Sequence, residues 1–366
     1  MILTPEDTLY AYGKIQEAYG SINRIDDYFR MKKLERLKDI PAPLFGMSHE
    51  DDLFQDFSMH PEDMNFRIVQ PDHSTFNTLL EMTASFTYEE APGKQMKLMV
   101  QETTTGTAVG FIKLGSPIIN SKPRNEWLGG TPDLTIFNKR AIMGFIIVPT
   151  QPFGFNYLGG KLLAAICCSH HVREMMNKKY PGMNVCLFET TSLYGSSKSS
   201  SQYDGMKPFL RFKGLTDSNF LPLMHGKPYE DLRDYMEKAV GEPIVPEDAS
   251  SRKLKLSTKI QALIKAALDG PDLDRFNKTI NNALQLTERK RYYASSYGFS
   301  NFIDVVTGKT DKLVPDKDNH DKHYLENVIK WWVKKASNRY MSLKRDDRIR
   351  KELEVWTGEK EIDIIR

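Results

Sequence analysis

The stretch from Ala141 to Gly214 constrains this chain more than any other. It opens with an apolar run, Ile142 to Val148, which stops at Pro149, passes a loop holding Gly154, Gly159 and Gly160, and enters a helical pattern from about Tyr157. Such a succession reads as strand, glycine loop and helix. After Pro181-Gly182 a second apolar strand follows at Val185 to Phe188, and Glu189 to Gln202 is small and polar. Two strands joined through a helix predict one right-handed βαβ crossover between parallel neighbours.

The flanking residues supply the rest of a sheet and its covering helices. Pro5 to Leu37 reads as helix, with Thr4 as N-cap before Pro5-Glu6-Asp7. Residues 38–75 are rich in Pro and acids and read as an irregular arm, followed by a short helix at Ser74 to Met82. Gln95 to Val100 and Ala108 to Leu114 read as strands joined by a TTTGT turn, hence as an antiparallel pair. Leu134 to Asn138 is a further short segment among the strands, set off by the polar loop Asn120 to Thr131. Beyond Ser218 helical patterns run at Tyr229 to Val240, Ser251 to Leu268, Asp272 to Leu286 and Tyr324 to Leu353. The expected fold is α+β: a mixed, mainly antiparallel sheet with one βαβ crossover, plus N- and C-terminal helical additions. The expected division is linear, with an N-terminal helix and arm over 1–75, a core over 76–220 and a basic helical region over 221–366.

Composition narrows the setting. With 40 % apolar and 27 % charged residues the chain is ordinary for a globular protein. No uncharged run approaches the roughly 20 residues a bilayer span requires. MILTPEDTLY has no basic stretch followed by an apolar one, so no signal peptide is expected. Cys167, Cys168 and Cys186 sit inside apolar stretches, which suits a reducing compartment. These features predict a cytoplasmic protein with no membrane partner, and leave its oligomeric state open.

The net charge of +3 hides an asymmetry. Residues 251–366 hold 25 Lys and Arg against 17 Asp and Glu, while residues 1–250 hold 26 against 31. A basic C-terminal third suits DNA or RNA, because Lys and Arg gain affinity by releasing phosphate counterions. Arg289, Lys290 and Arg291 precede Tyr292, Tyr293, Tyr297, Phe299 and Phe302, while Lys334, Lys335 and Arg339 follow Trp331 and Trp332. Interleaved cations and aromatics can track a backbone and stack on bases. The competing reading has the aromatics packing these helices while the cations stay in water.

A glycine turn between strand and helix brings backbone N–H groups near whatever sits above the sheet, a cradle suited to phosphate. Gly159-Gly160-Lys161-Leu162 lacks the hydroxyl of a Walker loop, and the spacing of Gly154, Gly159 and Gly160 is not that of a dinucleotide fingerprint. Cys167, Cys168, His170 and His171 form i, i+3 pairs, but no further ligand announces itself by spacing. Buried small residues followed by a histidine pair at a helix C-terminus account for them without a metal. The polar loop Lys317 to His323 offers a further, unsupported metal reading. No metal is expected.

GFIIVP followed by QPFGFNYLGGKLL resembles the acyl-coenzyme A site of the GCN5-related N-acetyltransferases (GNAT), whose loop has the form Q/R-x-x-G-x-G/A. Gln151 and Gly154 occupy its first and fourth positions, and Asn156 stands where Gly or Ala is expected. The resemblance implies acetyl-CoA or another acyl-CoA as cofactor, its pyrophosphate held around Val148, Gln151, Gly154, Asn156, Gly159, Gly160 and Lys161. A longer succession, IIVP, NYLGGKLLAAIC, YPGMNVCLFETTS, YGSS and LRFKGLT, resembles the Druantia anti-phage protein DruA family. Pro149, Leu158, Leu162, Tyr180, Gly182, Phe188, Glu189, Thr190, Gly195 and Thr216 carry that likeness, and Ser197 stands where the family has cysteine. That family is linked through fold to acetyltransferase-like proteins, the Mom DNA-modification enzyme of phage Mu included. The resemblance implies acyl transfer to an amine, a nucleobase of DNA among the acceptors, in a phage or anti-phage setting and hence in a host cytoplasm. Glu189, at a strand end beside the loop, is the candidate base, with Tyr194 to return a proton to the thiolate and Ser192 to hold substrate. The alternative is a nucleic-acid-binding component that keeps a degenerate acetyltransferase fold without the chemistry.

Overall fold

A computed structural model describes residues 3–20, 25–43, 47–86, 93–192, 201–216, 224, 226–249, 252–285 and 289–357. In chain order its elements begin with α1 (Pro5–Gly20), α2 (Ile25–Leu37), β1 (Phe66–Val69) and α3 (His73–Thr83). The centre of the sheet follows, as β2 (Gln95–Glu102), β3 (Ala108–Gly115), α4 (Lys122–Leu128), α5 (Leu134–Arg140) and β4 (Ala141–Pro149). The crossover then runs through α6 (Phe153–Tyr157), α7 (Gly159–Cys167) and α8 (His170–Lys179) to β5 (Leu187–Thr191) and β6 (Arg211–Leu215). The remainder is α9 (Gly226–Val240), α10 (Arg252–Ala267), α11 (Gly270–Gln285), β7 (Arg291–Ser295), α12 (Phe302–Val306) and α13 (Leu325–Arg345).

The architecture is α+β, as expected. The strands form one sheet in the order β1-β2-β3-β4-β5-β7-β6, antiparallel throughout except for the β4–β5 pair. That parallel pair is the single crossover. Every residue of β3 is buried, as befits a central strand covered on both faces. One face packs on α7, through Leu162, Leu163 and Ile166, and the other on α3, through Phe76, Leu79 and Leu80.

Pairing between β4 and β5 covers four positions, from Ala141↔Leu187 to Gly144↔Thr190. Opposite β3, Lys113 faces Ile146 and Leu114 faces Gly144, leaving Phe145 as an extra residue. A bulge of this kind bends a strand and raises its twist. The recorded pairing of the two parallel strands ends at Gly144, beside this bulge, and among the described residues β4 runs on to Pro149 without a β5 partner.

Several elements depart from the sequence reading. Residues 38–75, expected to be irregular, contain β1, which pairs with β2 from Phe66↔Glu102 to Val69↔Met99. The polar loop Asn120 to Thr131 holds α4, closed by Gly129 at φ 80°. Leu134 to Asn138 lies in α5, because the Asp133 side chain accepts from the Thr135 and Ile136 amides and starts a helix there. The crossover helix is three pieces: Leu158 at φ 56° separates α6 from α7, and Ser169 caps α8. His170 and His171 thus open a helix and do not close one. The basic-aromatic stretch after Arg289 is β7, inserted between β5 and β6.

The chain divides into two compact units, residues 1–32 with 218–288 and residues 33–217 with 289–366, where the sequence suggested three consecutive parts. The first unit is helical. Thr4, read as the N-cap, accepts from the Asp7 amide on Oγ1 at 3.2 Å while the Asp7 carboxylate accepts from the Thr4 amide at 3.3 Å, which makes the cap reciprocal. Tyr12, Ile15, Met236, Leu256, Ile260 and Phe276 are among the buried side chains of its core. The second unit contains the sheet. On its α13, Val328, Trp332, Ala336, Tyr340 and Leu343 recur every three or four residues and bury one stripe, which leaves the opposite face to Lys and Arg. Among the described residues no helix is long and apolar enough to cross a membrane.

Candidate functional site

The crossover loop is packed by the protein itself. Trp332 is fully buried and donates from Nε1 to the Tyr157 carbonyl at 2.9 Å, while Tyr340 stacks on Tyr157 with ring centroids 5.3 Å apart. Asn156, fully buried, donates from Nδ2 to the Arg350 carbonyl at 2.8 Å and accepts the Arg350 amide at 3.1 Å. This two-way carboxamide bond ties residues 350–354 to the loop. Gln151 accepts the Phe155 amide on Oε1 at 3.2 Å and the Glu354 amide on its carbonyl at 2.9 Å. Val148 is half-buried against the α3 face.

The loop glycines are likewise explained by protein neighbours. A Cβ on Gly154 would lie 2.5 Å from the Gln151 side chain, one on Gly159 2.7 Å from Phe153, and one on Gly160 2.3 Å from the Gln202 carboxamide. Lys161 Nζ donates to the carbonyls of Gln202 and Asp204, and burial together with repulsion from Lys335 lowers its pKa. For a coenzyme A pyrophosphate this is a poor fit, because the side chains and glycine faces expected around it already hold the chain's own groups.

Glu189 lies on β5, fully buried, with both oxygens engaged. Arg124 Nη1, from α4, stands 3.4 Å from Oε1, and Tyr292 on β7 donates its hydroxyl to Oε2 at 2.7 Å. The register explains the tyrosine. Tyr292 faces Thr191, two residues beyond Glu189, so the two side chains share one face of the sheet. Arg124 is itself fully buried, donates to the carbonyls of Ile118 and Ile119, and lies over the Phe137 ring at 4.6 Å. Burial raises the Glu189 pKa to about 6 against the pull of Arg124 and Tyr292. The group is a carboxylate held inside the sheet, linking three distant segments.

Ser192 is buried and joined to β7, accepting the Arg291 amide on Oγ at 3.0 Å. Tyr194 lies outside the described residues, as do Gly195, Ser196 and Ser197. Of the two histidines named with the cysteines His171 is exposed, whereas His170 is structural, its Nε2 3.0 Å from the His320 carbonyl, as is His323 of the polar loop, its Nδ1 2.7 Å from the Cys168 carbonyl. Burial lowers the pKa of His170 and His323 to about 4. Among the described residues no group of His, Cys, Asp or Glu is placed to hold a metal ion.

The six cations expected to face nucleic acid fall in two places. Arg289, Lys290 and Arg291 open β7, where Arg291 pairs with Asp204 at 3.2 Å and burial lowers the Lys290 pKa. Tyr292, Tyr293 and Tyr297 are buried, so these rings pack and do not stack on bases. Lys334, Lys335 and Arg339 lie on α13. The structure adds two arginines to them that the sequence reading left out. Arg339 and Arg350 lie over the Phe155 ring at 4.8 and 4.1 Å, and repulsion from Arg348 and Arg350 adds to burial in lowering the Arg339 pKa.

Fold and site together define an α+β protein with one crossover, a sealed carboxylate in its sheet and a cationic outer helix. In particular, the family model described as Druantia protein DruA matches residues 49–197, so the chain is DruA-like from the turn at His49 through β5. No curated protein and no solved structure matches the chain.

Proposed function

We propose that this chain is a DruA-like component of an anti-phage system that binds nucleic acid through α13 and the residues that follow it. One observation carries the reading. Residues 325–351 hold nine Lys and Arg, and only Arg345, with Asp346, and Arg350, with Glu354, have a carboxylate within ion-pair distance among the described residues. Cations gathered on one helix face without counter-ions set up a local positive potential that attracts polyanions. The likeness to DruA over residues 49–197 supplies the defence setting. Fluorescence anisotropy with labelled duplex DNA, single-stranded DNA and RNA tests it across a salt series. Binding should weaken steeply with salt, log K falling with log salt at about −0.9 per duplex phosphate neutralised. Absence of binding to all three at low salt overturns the proposal.

A second reading, acyl transfer from acyl-CoA to an amine such as a nucleobase, is favoured by the end of β4–β5 pairing at Gly144, beside the bulge at Phe145. The acetyltransferases that the loop resembles admit their cofactor between two such strands. Against it stand the packed loop and the sealed Glu189. Calorimetry with acetyl-CoA decides: heat of binding revives this reading, and its absence removes it.

A further inference from the structure

The same end of the crossover loop holds a more specific feature. Arg339 donates from Nε to the Phe155 carbonyl at 3.3 Å, which fixes one edge of its guanidinium and leaves the two terminal nitrogens without a hydrogen-bond partner among the described residues. Arg350 is held at its backbone by the fully buried Asn156 and at its head by Glu354, at 2.9 and 3.2 Å from the two carboxylate oxygens. Arg348 is placed by the end of α13. Asp347 adopts φ 49° and the Arg348 amide donates back to the Leu343 carbonyl at 2.8 Å, which sets Arg348 between the helix end and the Asn156-bound backbone of Arg350; its charge adds to the lowering of the Arg339 pKa. Asp347 and residues 349–355 line a cleft of about 550 Å³, and Arg350 is the member of the cluster on its wall.

Arg348 and Arg350 both repel Arg339, and arginine cannot relieve this by losing a proton, since it stays charged in proteins. One carboxylate, Glu354, answers them, and it is taken by Arg350. Arg339 and Arg348 have no carboxylate within ion-pair distance among the described residues. Chains that gather like charges against an aromatic ring gain from an anion that completes the set, and the planar fork of arginine matches the oxygens of a phosphate.

We infer that Arg339 and Arg350, braced on Phe155, form with the neighbouring Arg348 a clamp for one phosphate group, and that its natural source is a nucleic-acid backbone. The inference rests on the nucleic-acid reading above and adds the anchoring contact. Lysines of α13 supply diffuse attraction, whereas the clamp fixes where on the strand the protein sits.

The test measures DNA affinity by anisotropy across a salt series for the full chain and for Arg339→Gln, Arg348→Gln and Lys344→Gln, with thermal melts to show that each variant is folded. Either arginine change should weaken binding about tenfold and make the salt slope shallower by about 1, with Lys344→Gln costing about twofold. Arginine variants within twofold of the full chain, with unchanged slope, overturn the clamp while leaving the nucleic-acid reading in place. A second arm uses coenzyme A, which carries a pyrophosphate and a phosphate monoester. If the full chain ignores DNA yet binds coenzyme A in a manner lost in Arg348→Gln, the clamp stands with a small-molecule source and the nucleic-acid reading falls. Binding of neither ligand overturns both.

Discussion

Helices α9 to α11 of the helical unit and α13 of the sheet unit are all amphipathic, yet they treat their cations differently. In the helical unit Lys227 meets Asp231 at 2.9 Å, Arg233 meets Asp234 at 2.7 Å, Arg252 meets Glu237 at 2.8 Å and Arg275 meets Asp272 at 2.7 Å. On α13 and the turn after it, pairs are the exception. Exposed pairs add only about 0–1 kcal/mol each to stability, so the difference says little about how firmly either unit folds. What it changes is the field outside. Paired charges cancel within a few ångströms, and unpaired ones project about a Debye length, roughly 8 Å at physiological salt. Part of the charge excess that the sequence spreads over its last third is therefore projected outward by one helix and its turn.

A third arrangement, the buried pair of Arg124 and Glu189, gives the comparison its largest test. Arg124→Ala would leave a carboxylate sealed in the sheet with Tyr292 as its main remaining partner, and should destabilise the sheet unit by about 3–5 kcal/mol in urea unfolding. A loss under about 1 kcal/mol would show the carboxylate to be protonated or hydrated already. Glu189→Gln, which keeps the shape and the tyrosine contact, should also be costly, because it strands the guanidinium. Activity assays cannot separate a base from a structural carboxylate here, but unfolding can.

Acidification should act next most strongly, and on one unit. His170 and His323 have folded pKa values of about 4, below the 6.5 of the free side chain. Depressed values mean that their contribution to stability is present above pH 6.5 and is lost as pH falls towards 4. Glu189, raised to about 6, works the other way: its contribution is present below the ordinary carboxylate pKa and is lost as pH rises through 6. Between pH 7 and pH 5 the two histidines outweigh it, and the sheet unit should lose about 2–3 kcal/mol. The helical unit has one histidine, His225, outside the described residues. Amide exchange at the two pH values should show protection falling in α8, β5 and β7 and holding in α9 to α11. Equal loss in both units would break the contrast.

The sequence made the middle of this fold legible and its closure illegible, for a physical reason. β3 and β4 are continuous apolar runs because both faces are covered, and the glycine loop and helix after β4 follow from local chemistry. β7 inserts beside β5 from about a hundred positions further on, and its opening RKRYY reads as a surface patch until Tyr292 is seen donating into the sheet to Glu189. No local signal carries a pairing of that range. The clamp was half legible. Arg339 falls within the basic helix, but a helix continued to Leu353 would scatter Arg348 and Arg350 round its circumference. The overlooked sign is Asp346-Asp347: aspartate tolerates the left-handed conformation that ends a helix, and Asp347 takes it.

Neutralising the outer lysines is a weaker perturbation, directed at function. Lys334→Gln with Lys335→Gln should leave the melting temperature within about 2 °C, since neither has a carboxylate within ion-pair distance among the described residues, and should weaken duplex binding about tenfold. The salt slope should become shallower by nearly 2 if both lysines neutralise phosphates. The corresponding change on the helical unit, Lys227→Gln with Arg233→Gln, should leave binding within twofold.

The smallest effect completes the comparison. Arg275 and Asp272 are i, i+3 neighbours on α11 with 66 and 57 % of their side chains exposed. Water screens such a pair, and holding two long side chains together costs rotamer freedom, so a double-mutant cycle to alanine should give a coupling of about 0.3 kcal/mol. Adding salt to 1 M, where the Debye length is about 3 Å, should reduce it further. The value separates two explanations of why the helical unit pairs its cations. A coupling above about 1 kcal/mol would mean that pairing stabilises the helices, and the bareness of α13 would then be a stability cost accepted for binding. A coupling near zero means that pairing there only quenches the field, and the bare face of α13 costs the fold almost nothing.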